Sequence, residues 1–271
     1  MASMDTIYID HNATTPLLPE VIEAMAACER DGCANPASQH SAGRKARQML
    51  EDAREGIAEI LGAQLGPGGD QLIFTSGGTE ANNLALFGLL PQNPSGTPQR
   101  FPAALAVSAI EHPSVAEAAD HLEDLGVAVA RLGVTAQGVV EPAALQQAVE
   151  PLADNARLGL VSVMLGNNET GVIQPVAALA EAAHQRGALF HTDAVQAVGK
   201  VPVSFQALGV DGLTFSAHKF HGPRGLGGLL LRGGVKLKPQ MFGGFQQQGL
   251  RPGTESVALA VGAHVALRAW L

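Results

Sequence analysis

The fold class is decided by residues 188–219, which read ALFHTDAVQAVGKVPVSFQALGVDGLTFSAHK. Two apolar runs in this stretch, Ala188–Thr192 and Gly212–Ser216, have the length of buried β-strands. Polar or ionisable side chains end each run. Strands with continuous rather than alternating hydrophobicity are typical of parallel sheets that are covered on both faces. The stretch therefore predicts strands of a buried sheet with polar groups at their ends.

The same pattern extends over most of the chain, where short apolar runs alternate with amphipathic stretches. This alternation predicts βαβ units, and hence an α/β fold with a mostly parallel open sheet and helices on both faces. A surface loop is predicted at Pro91–Pro102, which is rich in Pro, Gly, Ser and Asn. The predicted strands are Thr6–Asp10, Gln71–Thr75, Ala103–Ser108, Val127–Leu132, Leu158–Leu165, Ala188–Thr192, Gly212–Ser216 and Gly227–Leu231. The predicted helices are Pro19–Arg30, Ala42–Leu61, Glu80–Leu90, Ser114–Leu125, Ala143–Leu152, Val176–Arg186 and a last one from Ser256 to the end.

Composition and charge exclude several classes of protein. The chain has 271 residues, 46% hydrophobic and 15% charged, so it can bury a sizeable core and is not disordered. Its net charge of −8 comes without a basic run, so we expect neither nucleic acid nor an anionic membrane as a partner. No run reaches the ~18 apolar residues of a membrane helix, and Asp5 and Asp10 interrupt a signal-peptide core. With two cysteines only, a reducing cytoplasm is the expected location.

Five of the predicted strands end in polar groups, at the edge where open α/β sheets bind their ligands. Ordinary turn residues would be expected at these positions in a domain without a ligand site. The groups are Ser76–Glu80, Glu111–Pro113, Gly166–Gly171, His191–Asp193 with Gln196, and Ser216–Lys219 followed by the glycine-rich His221–Gly225.

Each group also has a structural interpretation. Ser76–Thr79 can be a plain helix cap, or a phosphate cradle made of free amides and the helix dipole. Asp193 and Lys219 can be solvent-exposed charges, and His112 can be structural. Taken together, however, a phosphate cradle, a carboxylate, a lysine and a histidine are the parts that pyridoxal phosphate requires. The lysine would bind the aldehyde as a Schiff base, and the carboxylate would keep the pyridine nitrogen protonated.

At these residues the chain resembles the cysteine desulfurases, which are fold-type I pyridoxal phosphate enzymes of the class V aminotransferase group. The resemblance covers essentially the whole chain and is specific to this family. The motifs that carry it are Asp10–Pro16, Asn35–Ser38 with His40, Thr75–Asn83, Glu111-His112, Asn167–Gly171, His191–Lys200, Ser216–Gly222 and Arg251–Thr254.

The resemblance implies an enzyme that depends on pyridoxal 5′-phosphate. Such an enzyme converts L-cysteine to L-alanine and forms an enzyme persulfide for iron–sulfur cluster assembly or other sulfur transfer. The implied partners are a second copy of the chain in a homodimer and a sulfur-acceptor or scaffold protein. Two alternatives stay open: a selenocysteine lyase or other class V enzyme, and a non-catalytic dimeric module that binds the cofactor.

The resemblance also implies a role for each site residue. Lys219 would bind the cofactor aldehyde and shuttle a proton, and His112 would stack on the ring and act in proton transfer. Asp193 would pair with the pyridine nitrogen, and Gln196 with the phenolic oxygen. The remaining expected contacts are Asn168 beside cofactor and substrate, Gly78, Thr79, Ser216 and His218 around the phosphate, Thr254 at the neighbouring subunit's phosphate, and Asn12, Ala13 and Thr14 at the substrate entrance. No metal site is expected.

Three divisions of the chain follow from the resemblance. Residues 1–15 are expected to associate with a small domain and the substrate entrance, and residues 16–260 to form the large cofactor-binding domain. Residues 261–271 would begin a linker helix, which ends at Leu271 without a glycine cap or a polar tail. We therefore expect the chain to stop before a C-terminal domain.

In the family, that C-terminal domain carries the nucleophilic cysteine and an arginine that clamps the substrate carboxylate. The present sequence offers only Cys28 and Cys33 as thiols. Cys28 is predicted to pack within its helix. A catalytic thiol favours an electropositive setting, and the nearby Asp31 argues against this role for Cys33. We therefore expect cofactor binding with little or no sulfur transfer.

Overall fold

The computed structural model describes residues 7–31, 34–91, 103–152 and 156–271. Within them, a seven-stranded sheet has the order β1-β7-β6-β5-β4-β2-β3. The strands are β1 (Gln71–Thr75), β2 (Ala103–Ser108), β3 (Ala128–Leu132), β4 (Arg157–Ser162), β5 (Leu189–Asp193), β6 (Gly212–Ser216) and β7 (Gly227–Leu231). The helices are α1 (Pro19–Arg30), α2 (Ser41–Ile60), α3 (Gly78–Leu89), α4 (Pro113–Asp124), α5 (Pro142–Val149), α6 (Val176–His184), α7 (Phe205–Leu208) and α8 (Val257–Ala269). Short 3₁₀ turns cover Glu150–Leu152, Ala217–Lys219 and Gln246–Gly249.

The direction of the strands brings the polar strand ends together. Strands β3, β2, β4, β5 and β6 are parallel, and β7 is antiparallel to both of its neighbours, β6 and β1. Strand β1 therefore runs in the same direction as β6, and its carboxyl end lies at the same edge. The residues that follow β1, β2, β4, β5 and β6 share this edge, which is where α/β sheets bind ligands.

The core is divided between the two faces of the sheet. Leu72 and Phe74 of β1 belong to a buried cluster with α1, α2, α5, α6 and α8, whereas Ile73 belongs to a second cluster with α3 and α4. Neighbouring residues of a strand point to opposite faces, so both faces are covered by helices. This arrangement confirms the predicted α/β class and the mostly parallel sheet.

Some predicted elements were wrong in extent or type. Residues 7–10 form no strand, and Ile7 and Ile9 are 85% and 84% exposed. A strand needs a partner on a sheet edge, and the alternating pattern of this segment does not reveal whether one is available. Strand β4 ends at Ser162 instead of Leu165, and the helix Phe205–Leu208 was not predicted.

The predicted loop Pro91–Pro102 lies outside the described residues apart from Pro91. In the part of the chain that is described, no helix combines the length and the apolar character needed to cross a bilayer.

Candidate active site

A cavity of about 250 Å³ lies at the carboxyl edge of the sheet. Nine of the ten residues predicted to bind the cofactor line it, although they come from five separate segments of the chain. These are Gly78, Thr79, His112, Asn168, Asp193, Gln196, Ser216, His218 and Lys219. Asn82 and Ser114, for which the sequence predicted no role, line it as well.

A larger cavity, of about 600 Å³, lies elsewhere, beside α2 and the edge strand β1. Its lining, as far as the chain is described, holds Arg54 with Glu51 and Glu255 rather than the predicted site residues. Arg54 Nη2 lies 3.0 Å from Glu255 Oε1, so the arginine of this cavity is already paired. The volume of a cavity therefore does not identify the site. The predicted site residues line the smaller cavity.

The amino end of α3 forms one end of the site. The helix begins at Gly78 after Gly77, and its first amide groups have no intrahelical acceptor. Strand β7 packs closely behind this turn, since a Cβ at Gly227 would lie 2.5 Å from the carbonyl carbon of Gly77. Ser216 Oγ is buried and finds no hydrogen-bond partner among the described residues. Free amides, the helix dipole and an unpaired hydroxyl together form a place for an anion.

Asp193 provides a buried negative charge in the cavity. The residue is 4% exposed, and its Oδ1 accepts a hydrogen bond from Val195 N at 2.9 Å. Its Oδ2 accepts one from Asn82 Nδ2 at 2.6 Å. Burial raises the pKa of Asp193, while these hydrogen bonds and the charges of His112 and Lys219 oppose the shift. Such a carboxylate gains stability from a cationic partner in the cavity.

Lys219 provides an amine whose proton is held less tightly than usual. Burial lowers its pKa, and the charges of Asp193 and Asp10 partly offset this effect. Its Nζ donates hydrogen bonds to the carbonyl oxygens of Asn12 and, at 2.9 Å, of Ala13. A lowered pKa increases the fraction of uncharged amine, which is the nucleophilic form.

The segment Asn12–Thr14 lies at the mouth of the cavity. Asn12 Nδ2 donates to Asn168 O at 3.0 Å, and Gln196 Nε2 donates to Asn12 O at 2.9 Å. Thr14 Oγ1 lies 3.1 Å from His218 Nδ1. With the hydrogen bonds from Lys219, the residues predicted for the substrate entrance thus contact four lining residues, while their role toward a substrate stays a prediction.

Thr254 does not reach this cavity. It is exposed and lines a separate cavity of about 200 Å³ together with Ser76 and Arg251. Arg251 Nε pairs with Glu80 Oε1 at 2.8 Å, which ties this region to the first turn of α3. The predicted contact of Thr254 is with a neighbouring subunit, so it too stays a prediction.

Only one of the two cysteines lies among the described residues. Cys28 is 2% exposed in α1 and belongs to the core cluster that packs against the sheet. Cys33 lies outside the described residues.

Glu111 is a partly buried residue beside the site for which the sequence predicted no role, and its carboxyl group is buried. Its Oε1 accepts hydrogen bonds from Ser108 Oγ and, at 2.7 Å, from Met164 N. Its Oε2 is buried without a hydrogen-bond partner among the described residues. Burial raises the pKa of Glu111 to about 8, and the nearby charge of Asp193 adds to the shift, while the two hydrogen bonds oppose it. The carboxyl group is therefore largely protonated at neutral pH.

Glu111 should make the stability of the protein fall as the pH rises. Its pKa in the folded state lies above its usual 4.5, so its contribution is complete below pH 4.5 and is lost toward pH 8. Glu111→Gln keeps the shape of the protonated acid but does not titrate. We expect the free energy of unfolding of this variant, relative to the wild type, to increase by about 3–4 kcal/mol between pH 5 and 8.

Urea denaturation at several pH values measures this difference. Glu181→Gln is the matched control, because Glu181 is an exposed carboxylate on α6. A parallel pH dependence of the wild type and Glu111→Gln would show that Glu111 is ionised throughout this range.

Comparisons with known proteins agree with this site. The family model described as "Aminotransferase class-V" matches residues 7–270. A cysteine desulfurase of Cereibacter sphaeroides is 44% identical over 260 residues, which cover 96% of this chain and 64% of the relative. The cysteine desulfurase IscS of Dictyoglomus turgidum is 42% identical over 257 residues, 94% of this chain and 61% of the relative. The chain thus spans less than two thirds of the length of these curated relatives.

Solved structures give the same result. A "NifS-like protein" superposes with a TM-score of 0.87 at 38% identity, covering 97% of this chain and 69% of that one. SspA, whose structure is a complex with cysteine, gives a TM-score of 0.86 at 34% identity, covering 97% and 72%. Class V aminotransferases and cysteine desulfurases are enzymes that depend on pyridoxal phosphate. The fold, the matched family model and the relatives show that the chain belongs to the class V aminotransferase family and is homologous to cysteine desulfurases.

Proposed function

We propose that this chain is the cofactor- and substrate-binding part of a cysteine desulfurase that depends on pyridoxal phosphate. The observation that carries the proposal is the single cavity in which Lys219, the buried Asp193 and the amino end of α3 meet. Homology to proteins named cysteine desulfurase over 96% of the chain supports the choice of L-cysteine as substrate.

The residues of the cavity fit pyridoxal phosphate at both of its charged ends. Gly78 and Thr79 at the start of α3, with the unpaired hydroxyl of Ser216, suit the dianionic phosphate. Asp193 suits the cationic ring nitrogen, because a buried carboxylate is stabilised by a positive partner. The volume of about 250 Å³ is close to the lower end of ligand pockets, at about 300 Å³, and matches one small cofactor.

The chemistry would then be divided among the chain's own residues. When bound, pyridoxal phosphate supplies an aldehyde that takes up amines and a ring that withdraws electrons from the substrate α-carbon. Lys219 Nζ, in its uncharged form, would accept the α-proton of the amino acid. Asp193 would hold a proton at the ring nitrogen, and His112 would give or take a proton at the face of the ring. Asn12–Thr14 would limit the access of water and substrate at the mouth.

Sulfur transfer needs one more group, a thiolate that attacks the substrate sulfur. Cys28 is buried in the core, where a thiol is unreactive. We therefore expect this chain to bind pyridoxal phosphate and L-cysteine without forming a protein persulfide efficiently.

An absorption spectrum tests the proposal directly. The purified chain is mixed with pyridoxal phosphate, and the spectrum is recorded before and after addition of L-cysteine. We expect a visible band of lysine-bound cofactor that shifts with L-cysteine and does not shift with D-cysteine. A folded protein without the band would refute the proposal. Robust persulfide formation that survives Cys33→Ser would refute the expected loss of sulfur transfer.

The proposal includes a homodimer and a sulfur-acceptor or scaffold protein as partners, in the cytoplasm. Exposed aromatic side chains support a protein contact, since Phe242 and Phe245 are 86% and 94% exposed. They lie in the segment between β7 and α8, which also carries Thr254. The small number of cysteines supports the reducing compartment.

A further inference from the structure

Two buried polar side chains join separate parts of the cavity wall. Asn82 lies on α3 and is 1% exposed, and Ser114 lies on α4 and is 8% exposed. Both line the cavity. Burying such groups is costly unless they make hydrogen bonds, so their partners identify what they do.

Asn82 is the link between a carboxylate and a hydroxyl. Its Nδ2 donates one hydrogen bond to Asp193 Oδ2 at 2.6 Å and a second one to Ser114 Oγ at 2.8 Å. Its Oδ1 is buried without a hydrogen-bond partner among the described residues. Rotating the amide by 180° would place Oδ1 against the acceptor oxygen of Asp193 and would remove both donors. The amide orientation is therefore fixed, and both of its protons are used.

Ser114 continues the chain of hydrogen bonds to His112. Ser114 N donates to His112 Nδ1 at 3.1 Å, and Ser114 Oγ lies 2.8 Å from the same nitrogen. A backbone amide can only donate, so His112 Nδ1 is an acceptor and carries no proton. Since Ser114 Oγ accepts from Asn82, its own proton is free to point at His112 Nδ1. The hydrogen bonds then run from Asp193 through Asn82 and Ser114 to His112 Nδ1, while Asn82 Oδ1 has no partner among the described residues.

We infer that Asn82 and Ser114 are positioning residues that hold His112 as the Nε2–H tautomer and connect its ring to the Asp193 carboxylate. The inference rests on the proposed function for its meaning, since it concerns the residues expected on either side of the cofactor ring. Neither residue was predicted from sequence, and each acts through a neighbour rather than on the reacting atoms.

The position of His112 at a helix terminus adds to this effect. His112 is the N-cap of α4, and its side chain accepts a hydrogen bond from a backbone amide that has no intrahelical acceptor. A proton on Nδ1 would also face the amide proton of Ser114. The ionisable groups around the ring are Glu111 before it in sequence and Asp193, His218 and Lys219 on the cavity wall. With Nδ1 engaged, Nε2 is the nitrogen that can exchange a proton with a bound group.

Histidine ring ¹⁵N–¹H correlation spectra of the cofactor-free protein test the inference. His112 is assigned from the signals that are lost in His112→Gln. We expect an unprotonated Nδ1 and a protonated Nε2 in the wild type at pH 7–8. Ser114→Ala should lower the ratio of the Nε2–H to the Nδ1–H tautomer about fivefold, the size of one net hydrogen bond, and Ser114→Thr should restore it. Asn82→Leu should lower the ratio as well, because the hydroxyl of Ser114 then loses its fixed orientation.

Two controls separate this effect from a general disturbance. His40 also caps a helix, with its Nδ1 accepting from Gly43 N at 3.1 Å, so its signals should not change in the Ser114 variants. Asn83→Leu should leave His112 unchanged, because Asn83 donates to the carbonyl oxygens of Thr79 and Ser114 and not to the hydroxyl.

The outcomes distinguish the inference from the proposed function. An Nδ1–H tautomer in the wild type, or a ratio that Ser114→Ala and Asn82→Leu leave unchanged, would overturn the inference. These spectra need no cofactor, so they give the same answer whether or not the absorption experiment finds cofactor binding. A protein with the expected tautomer but no cofactor band would refute the proposed function alone.

Discussion

Lys219→Ala is expected to abolish covalent attachment of the cofactor. After reduction with borohydride, the wild type should carry a stable pyridoxyl group on Lys219, and the variant should carry none. The physical reason is that the amine of Lys219 combines a lowered pKa with a place in the cavity beside Asp193. Peptide mass mapping of the reduced protein measures the site and the extent of labelling.

Lys200→Ala is the matched control for this experiment. Lys200 lies at the same mouth, where its Nζ donates to Asn12 Oδ1 at 3.1 Å, and burial lowers its pKa too. Its removal should leave the label on Lys219 in place. A reduced adduct on Lys200 in the wild-type protein would contradict the assignment of Lys219.

Gly227→Ala should distort the turn Gly77–Gly78 before α3, which is the part of the cavity suited to an anion. The new methyl group would lie 2.5–2.8 Å from three backbone atoms of Gly77, and backbone cannot yield as a flexible side chain can. Either β7 or the turn before α3 must shift. We expect a loss of about 2–3 kcal/mol in the free energy of unfolding, as for other overpacked sites. The affinity for pyridoxal phosphate should also fall about tenfold, which corresponds to ~1.4 kcal/mol.

Thermal denaturation and cofactor titration measure the two effects separately. Gly133→Ala is the control, since a Cβ there meets no atom within 4 Å and the residue is not in the left-handed region. Its effect should remain within about 0.5 kcal/mol. If Gly227→Ala were equally harmless, the turn before α3 would be too mobile to serve as a fixed cradle.

The sequence predicted the architecture well because its strands are buried on both faces and therefore read as continuous apolar runs. Gln71–Thr75, Ala103–Ser108, Gly212–Ser216 and Gly227–Leu231 have the predicted bounds. The antiparallel direction of β7 was not predicted, because the continuous apolar run Gly227–Leu231 resembles those of the parallel strands. The prediction of a strand at residues 7–10 was wrong for a related reason. Whether such a segment forms a strand depends on a neighbouring strand to pair with, and the pattern does not show whether there is one.

In the candidate site, too, some residues were predictable from the sequence and others were not. Lys219 and Asp193 were found because ionisable side chains at the end of apolar strands are costly without a purpose. Asn82 lies within α3, four residues into the helix, where nothing in the local sequence marks it for a role. Its importance depends on Asp193 and on Ser114, which are distant in sequence and become neighbours only in the fold. Glu111 was quoted within a motif, but its burial was not visible from its neighbours.

The position of β1 at the edge of the sheet has a consequence for the order of folding. Among the described strands, β1 pairs with β7 alone, and Gln71 lies opposite Leu231. During synthesis, the strand that leads into the turn before α3 therefore waits for its hydrogen-bonding neighbour until Gly227–Leu231 has left the ribosome. Contacts between such distant residues form slowly, because loop closure opposes them. The turn before α3 is thus completed late, and nascent chains that stop before Leu231 lack the strand that packs behind it.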